Sequence, residues 1–356
     1  MRIKRWMPWT TLALAAVCLS VVAGGWARGL VQEKQAKPAA PAAAKKLKVG
    51  IVTDIGGLND RGFNALAYKG LQRAVKTLKV QGRVLTSKGP NDYIPNFTSL
   101  VRQRYDLIIG VGFLQTDSMN TMGKQFPKSK FAIVDVSAVG LKNKPKNVQG
   151  ILFREQEAGY LAGYLAALVS TDAIQPRRVG AAETIGWVGG LKIPPVDRFG
   201  AGYKAGAQAA VPGTKVIHGY SQDFVDQAKC KEIALNQADQ GAKVIFQVAG
   251  GCGLGALDAA LEKGVWGIGV DNDQAGVNKN VLTSATKRVD QGVYLTIKTL
   301  VDRKFKGGRD VLYGVKNGGV GLGKIHASVP ADIRAKVKAR QALIAAGKIK
   351  IPTIVP

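Results

Sequence analysis

The sequence predicts an α/β protein of two lobes, each a parallel sheet flanked by helices. From residue 47 onward short β-branched runs alternate with amphipathic stretches, and such alternation specifies βα units joined by right-handed crossovers. Ten strand candidates are spread over residues 47 to 285, and most connections between them are long enough for a helix. At 356 residues the chain suits two units of about 100–200 residues better than one. A barrel of eight repeats shares this alternation and stays open on pattern alone.

The first 27 residues stand apart from that pattern. MRIKRWMPWTTLALAAVCLSVVAGGWA places Arg2, Lys4 and Arg5 before an apolar run that ends in small residues around Gly25 and Ala27, the layout of an export signal. The run from Trp9 to Ala27 approaches the roughly 20 residues that span a bilayer, so a retained N-terminal anchor is the competing reading. Cys18 follows Ala15-Ala16-Val17, a poor context for lipid attachment, and none is expected. Residues 28–46 form a linker whose main part, QEKQAKPAAPAAAKK, is rich in Ala, Pro and Lys without apolar period. It reads as a semi-extended spacer, suited to holding the folded part away from a membrane or wall.

The strand candidates follow in order: LKVGIVT, RVLTS, DLIIGV, FAIVDV, NVQGILF, IGWVGG, TKVIHGYS, AKVIFQVAG, VWGIGVD and VLTSA. Between the first two, Phe63, Leu66, Ala67, Gly70, Leu71, Ala74, Val75 and Leu78 repeat at the spacing of an amphipathic helix. Further helices are expected at EQEAGYLAGYLAALVS, DRFGAGYKAGAQAA, DQAKCKEIALNQADQ, LGALDAALEKG and, near the end, PADIRAKVKARQALIAAG.

The formal net charge is +27. Cleavage after residue 27 would leave 48 basic against 24 acidic residues, a net +24. Such a charge attracts anionic surfaces. The Lys and Arg are scattered, no nucleic-acid-binding motif is present and an exported chain does not meet genomic DNA, so nucleic acid is not expected as a partner. An anionic membrane or wall polymer fits better.

Ligands of open parallel sheets bind outside the carboxyl ends of the strands, and polar or glycine-rich clusters recur there. DIGGLNDRGFN (Asp54 to Asn64) follows LKVGIVT, SQDF with Phe224 follows TKVIHGY, GGCG follows AKVIFQVA, DNDQ follows VWGIGV, and Asp135 ends FAIVDV. Carboxylates and amides can hydrogen-bond a diol or the edge of a heterocycle, Phe can stack on its face, and glycine lets backbone approach. Each has a plainer reading: Asp54 can cap its turn, Phe63 lies on the apolar stripe, Phe224 can be core, and Lys287 can be a solvated charge. Asp271 and Asp273 alternate, so one faces the cleft while the other caps the next segment.

No catalytic set assembles. Of two histidines, His218 lies inside a strand and His326 in a basic tail, with no nucleophile beside either, and both read as structural. Metal-ligand spacings are absent, and no cofactor is expected. Gly251-Cys-Gly253-Leu-Gly255 fits a dinucleotide loop badly.

Taken in order, DIGGLNDRGFN, FREQEAGYLAGYLAA, IGWVGGLKIPPVDRFGAGYKAGA, SQDFVDQAK, GAKVIFQVAGGCGLGALDAA, GVDNDQ and VLTSATKRVD resemble the basic membrane protein family of solute-binding proteins, the purine nucleoside receptor type that serves ABC importers. The resemblance covers most of residues 47–300. It implies a two-lobed periplasmic-binding-protein fold of the type with three hinge crossovers, with 47–150 plus 274–315 in lobe I and 151–273 plus 316–356 in lobe II. Phe63 and Phe224 would then sandwich a purine, with Asp54 and Asn64 at its edge. Asp271, Lys287 and the Gly250 backbone would hold the ribose, and Asp135 is carried over less firmly.

Family members are commonly lipoproteins, which the context of Cys18 does not support. A further departure is Cys252 within the glycine-rich loop. Cys230 begins the helix after Phe224, so both cysteines should lie at the carboxyl edge of neighbouring strands, and in an oxidising compartment a Cys230–Cys252 disulfide is expected to brace two ligand loops. The expectation is therefore an exported, monomeric, non-enzymatic receptor that captures a nucleoside for an ABC permease. A sugar receptor, an exported nucleoside-acting enzyme using Asp54 or Asp271, and a sensor are the alternatives.

Overall fold

Runs that are apolar at nearly every position become strands covered on both faces. Leu107–Val111 (β3), Phe131–Val134 (β4), Val244–Val248 (β8) and Trp266–Asp271 (β9) are buried throughout, as central strands of parallel sheets must be. The computed structural model describes residues 46–171 and 184–355. The expected signal or anchor over 1–27, Cys18 and the linker as far as residue 45 lie outside the described residues.

Two six-stranded sheets organise the chain. The first has the order β11-β5-β4-β3-β1-β2, where β1 is Lys48–Val52, β2 Gln81–Leu85, β5 Val148–Phe153 and β11 Arg309–Tyr313. All its neighbours pair in parallel. The second runs β12-β10-β9-β8-β6-β7, with β6 at Thr184–Gly189, β7 at Lys215–Tyr220, β10 at Val281–Lys287 and β12 at Val320–Leu322. Only β12 is antiparallel to its neighbour there. Helices α1 (Phe63–Leu78), α2 (Tyr93–Arg102), α3 (Thr116–Gln125) and α8 (Val289–Val301) belong with the first sheet. The second carries α4 (Glu155–Thr171), α5 (Pro194–Ala210), α6 (Gln227–Asp239), α7 (Gly253–Glu262) and α9 (Ala331–Ala345).

Sheet membership puts the three chain crossings between β5 and α4, between β10 and α8, and between β11 and β12. The boundary expected at 273/274 therefore falls earlier than the observed crossing. VLTSA is buried and pairs with β9, so residues 281–287 lie in the second sheet and the chain crosses after Lys287. Likewise Ile151 to Phe153 complete β5 in the first sheet. All ten expected strand runs are strands. The pattern missed β11, a half-exposed edge strand, and β12, three residues long. It also named no helix at α2, α3 or α8; α3 buries little beyond Met119 and Met122, whereas α2 and α8 each bury an apolar face.

Close approach of α4 and α5 depends on glycine. A Cβ on Gly163 would collide with the carbonyl oxygen of Tyr203, and one on Gly206 with that of Tyr160. The sequence AGYLAGY against AGYKAGA thus brings two helix backbones together, and the apolar core continues through α4 from the first sheet into the second. Across the other face of the second sheet, Cys230 of α6 and Cys252 before α7 form a disulfide, with Cα atoms 5.6 Å apart.

Two consequences can be measured. Gly163→Val should push α4 from α5 and lower the unfolding free energy by about 1–3 kcal/mol, seen as a lower urea midpoint; an unchanged midpoint would contradict backbone contact. Replacing both cysteines (Cys230→Ser with Cys252→Ser) should cost about 2–4 kcal/mol, and mass mapping without reductant should recover the two residues as one linked peptide pair.

Candidate functional site

The carboxyl ends of the two sheets meet around one cavity that is lined from both lobes and partly continuous with solvent. Asp54 follows β1, Gly112 and Phe113 follow β3, and Asp135 follows β4. From the other lobe, Gly250 and Gly251 follow β8, Asp271 ends β9 and Lys287 ends β10. Asp135 (φ 69°), Asp271 (φ 61°) and Gly250 (φ 55°) all adopt the left-handed conformation. Asp tolerates that region better than most residues, and it turns the chain sharply at the strand end. The lobes touch across the opening, since a Cβ on Gly251 would lie 3.9 Å from Asp60 Cα.

The turn DIGGLNDRGFN is held from within. Asp60 accepts from the backbone N–H groups of Gly62 (3.0 Å), Asn64 (2.7 Å) and Ala65 (3.1 Å), satisfying the free donors at the start of α1. Asn64 Nδ2 also donates to Asp60 (3.1 Å), while Asn64 Oδ1 accepts from Asp54 N–H (2.9 Å). Asn64 thus spends both ends of its amide on the turn and keeps one N–H for anything else.

Asp54 Oδ1 accepts from the Tyr93 hydroxyl (2.6 Å) and from Ile55 N–H (2.8 Å), and Oδ2 has no donor among the described residues. A Cβ at Gly112, where φ is 116°, would strike the Asp54 carboxylate, so only glycine leaves it room. Burial raises the Asp54 pKa, with the Tyr93 and Ile55 hydrogen bonds opposing.

Lys287 is 1% exposed, which overturns its default reading as a solvated charge. Its Nζ lies 2.6 Å from Asp135 Oδ2 and 3.0 Å from Glu155 Oε1, and 5.0 and 5.2 Å from the ring centres of Phe63 and Phe153. Glu155 in turn meets Arg198 at 3.3 Å. Burial alone would lower the Lys287 pKa, but Asp135, Glu155 and Asp271 reverse the effect and raise it, so the side chain is an ammonium ion. Burial pushes Asp135 up to about 6, with Lys287 opposing, and its Oδ1 is buried without a partner. Asp271 is pushed up to about 7 by burial, with Lys287 opposing and Asp135, Asp60 and Glu155 adding to the rise. Its carboxylate has no hydrogen-bond donor among the described residues.

On the opposite wall the Phe224 carbonyl accepts from Cys252 N–H (3.0 Å). The Phe224 ring lies across Gly190, where a Cβ would collide with it. Ile193, Pro195, Val196 and Phe199, from the start of α5, complete an apolar side.

All eight residues singled out from the sequence, Asp54, Phe63, Asn64, Asp135, Phe224, Gly250, Asp271 and Lys287, line this one cavity. Asp273 instead accepts from Ala275 N–H (3.2 Å) and Lys324 N–H (3.0 Å), as one member of the alternating pair should. His218 stacks on Trp187 and His326 packs against Trp266, neither lining the cavity. Among the described residues no group of His, Cys, Asp and Glu is placed to hold a metal ion.

Sequence reasoning missed Asp60, Tyr93, Glu155 and Arg198. Glu155 carried a signal, as an acid at the first position of an otherwise apolar helix. So did Asp60, three residues before the start of α1.

The family model for PnrA-like ABC transporter substrate-binding proteins matches residues 47–354. A CD4+ T-cell-stimulating antigen of Listeria monocytogenes is 34% identical over 87% of this chain and 89% of its own length. The ABC transporter nucleoside-binding protein BmpA of Lactococcus lactis is 36% identical over 86% of this chain and 89% of its own. Among solved structures, an ABC transporter solute-binding protein of Aeropyrum pernix superposes with a TM-score of 0.78 at 27% identity, covering 87% of this chain and 94% of that one. The strand-end cleft between two parallel sheets and these likenesses lead to the same conclusion: the chain belongs to the PnrA-like family of ABC transporter substrate-binding proteins.

Proposed function

We propose that this protein captures a nucleoside, with purines preferred, outside the cytoplasm and delivers it to the permease of an ABC importer without chemical conversion. The observation that carries the reading is Asp271, a carboxylate enclosed in the cleft with no donor among the described residues. A buried acceptor left unmade is costly, and a vicinal diol supplies two donors to one carboxylate. Lys287, Asp135 and the Gly250 backbone lie around the same cavity for the remaining hydroxyl groups.

Phe63 and Phe224 offer ring faces to a flat base, and a bicyclic purine covers more of them than a pyrimidine. Asp54 Oδ2, free of protein donors, suits a base N–H. Asp54, Asp60, Asp135, Glu155 and Asp271 outnumber Lys287 and Arg198 near the cleft, and that excess disfavours a phosphate. Nucleosides therefore fit better than nucleotides. The name of the Lactococcus lactis relative supports the ligand class, and the family supports the permease partner and the extracytoplasmic site of action.

Calorimetry on protein refolded to strip carried ligand tests the reading. Adenosine, guanosine or inosine should bind at about micromolar strength or better, with free adenine, ribose and adenosine monophosphate at least tenfold weaker, each tenfold being about 1.4 kcal/mol. Binding of ribose alone would convert the cleft to a sugar site. Phe224→Ala should weaken purine nucleosides by about 1–3 kcal/mol, the usual worth of a base–aromatic stack.

The Asp271 carboxyl supplies a pH test. Its pKa rises on folding from 3.8 to about 7, so between those values the folded state holds the extra proton. The unfolding free energy of ligand-free protein should accordingly fall as pH rises through that window. Nucleoside affinity should move the other way and weaken as pH drops below about 7, because the diol needs the ionised acceptor. Asp271→Asn should make both profiles shallower, leaving in the stability profile the share of Asp135 and Asp54, whose pKa values are also raised, as measured by thermal melts and by titration across the same buffers.

A further inference from the structure

Because every strand of the first sheet is parallel to its neighbours, all six strands begin on one edge of the lobe and end at the cleft. The loops that lead into them carry exposed cations. Lys79 precedes β2, Arg104 precedes β3, Lys128 and Lys130 precede β4, and Lys304 and Lys306 precede β11. Lys144 and Lys146 lie in the loop entering β5. None of these makes an ion pair with a described residue. The acids nearby are already engaged: Asp106 accepts from Lys48 N–H (2.7 Å), Asp302 pairs with Lys298 (2.6 Å), and Asp310 accepts from Ser137 and Ala138 (2.6 and 2.7 Å). In the second sheet Lys263, leading into β9, is paired with Asp239 (2.6 Å), while Lys215 and Lys279 are exposed at the starts of β7 and β10.

We propose that this amino-terminal edge of the first lobe is a docking surface for an anionic phospholipid bilayer. The strands put it about 16 Å from the cleft, at roughly 3.3 Å per residue over five residues. That exceeds the screening length of about 8–10 Å, so the edge can bear a strong charge without disturbing ligand. Lysines on loops are flexible point charges, matched to a diffuse layer of lipid phosphates rather than to one chelated group. The described chain also enters the first sheet through this edge, at Lys46 and Leu47 ahead of β1. In sequence, the Ala/Pro/Lys spacer and the apolar run Trp9 to Ala27 precede that point. Docking there holds the lobe on the membrane by the edge opposite its strand-end loops. It is independent of which solute the cleft binds.

Lysine acetylation mapped by mass spectrometry on the full chain tests the proposal whether or not the apolar run inserts. On phosphatidylcholine vesicles containing about 30 mol% phosphatidylglycerol, Lys79, Lys128, Lys130, Lys144, Lys304 and Lys306 should react at least threefold more slowly than on phosphatidylcholine alone. Raising salt from about 0.1 to about 0.5 M should abolish that protection. Lys192 and Lys229, beside the cleft, should react equally on both vesicles. Protection spread evenly over both sets, no dependence on phosphatidylglycerol, or protection by soluble polyglycerol phosphate but not by vesicles would each overturn it. As a second measurement, a variant combining Lys128→Glu, Lys130→Glu, Lys304→Glu and Lys306→Glu should lose this phosphatidylglycerol-dependent protection at Lys79 and Lys144 while binding solute as the parent does. Retained protection would count against the edge.

Discussion

A single buried ammonium ties the two lobes together. Lys287 ends a strand of the second sheet, yet its nearest carboxylate, Asp135, stands on the first, and Glu155 begins the helix that follows the first crossing. Taking a charge of this kind out of water costs several kcal/mol unless partners surround it. The closed arrangement of the lobes supplies those partners, and the crossing that follows Lys287 keeps it at the seam. Such a pair adds little net stability over an apolar substitute, but it penalises any packing that leaves the ammonium alone.

Around that seam, neutral constraints do the positioning. Glycines at 112 and 190 vacate the space that the Asp54 carboxylate and the Phe224 ring occupy. Tyr93 and Asp60 spend their hydrogen bonds on the turn after β1, and the disulfide with the Cys252 N–H holds the Phe224 loop. What remains unspent is a short set of acceptors, Asp271, Asp54 Oδ2 and Asp135 Oδ1, beside aromatic faces. Preformed apolar walls with a few convergent polar groups are what a small-molecule site requires. The opposite ends of the same strands are free of these demands, and there the chain carries its unpaired cations.

Much of this was legible in one dimension. Apolar and β-branched runs identified ten strands, the edge strands β2 and β7 among them, because strands buried on both faces are mostly apolar. Polar clusters at their carboxyl ends located the cleft, because only there does a parallel sheet leave room for a ligand. Some elements were not legible: β11 alternates weakly, β12 is three residues long, and α3 buries too few side chains to show a period. The second crossing was misplaced because a buried run reveals that it is a strand without revealing which sheet it joins.

By itself, then, the sequence determined the α/β alternation, ten of the strands and the polar clusters at their carboxyl ends through local periodicity and strand polarity, while the two-lobed fold and the places of Asn64, Gly250 and Lys287 in the cleft came from the family resemblance. Only the tertiary structure decided the state of those residues. Lys287 is a buried cation because Asp135, 152 positions away, comes within hydrogen-bond distance. Asn64 is mostly spent because Asp54 and Asp60 fold onto it, and Asp271 is left without a donor because nothing else reaches it. Charge state, hydrogen-bond availability and pairing depend on distances, some within one turn and some between residues remote in sequence, that exist only once the chain has folded.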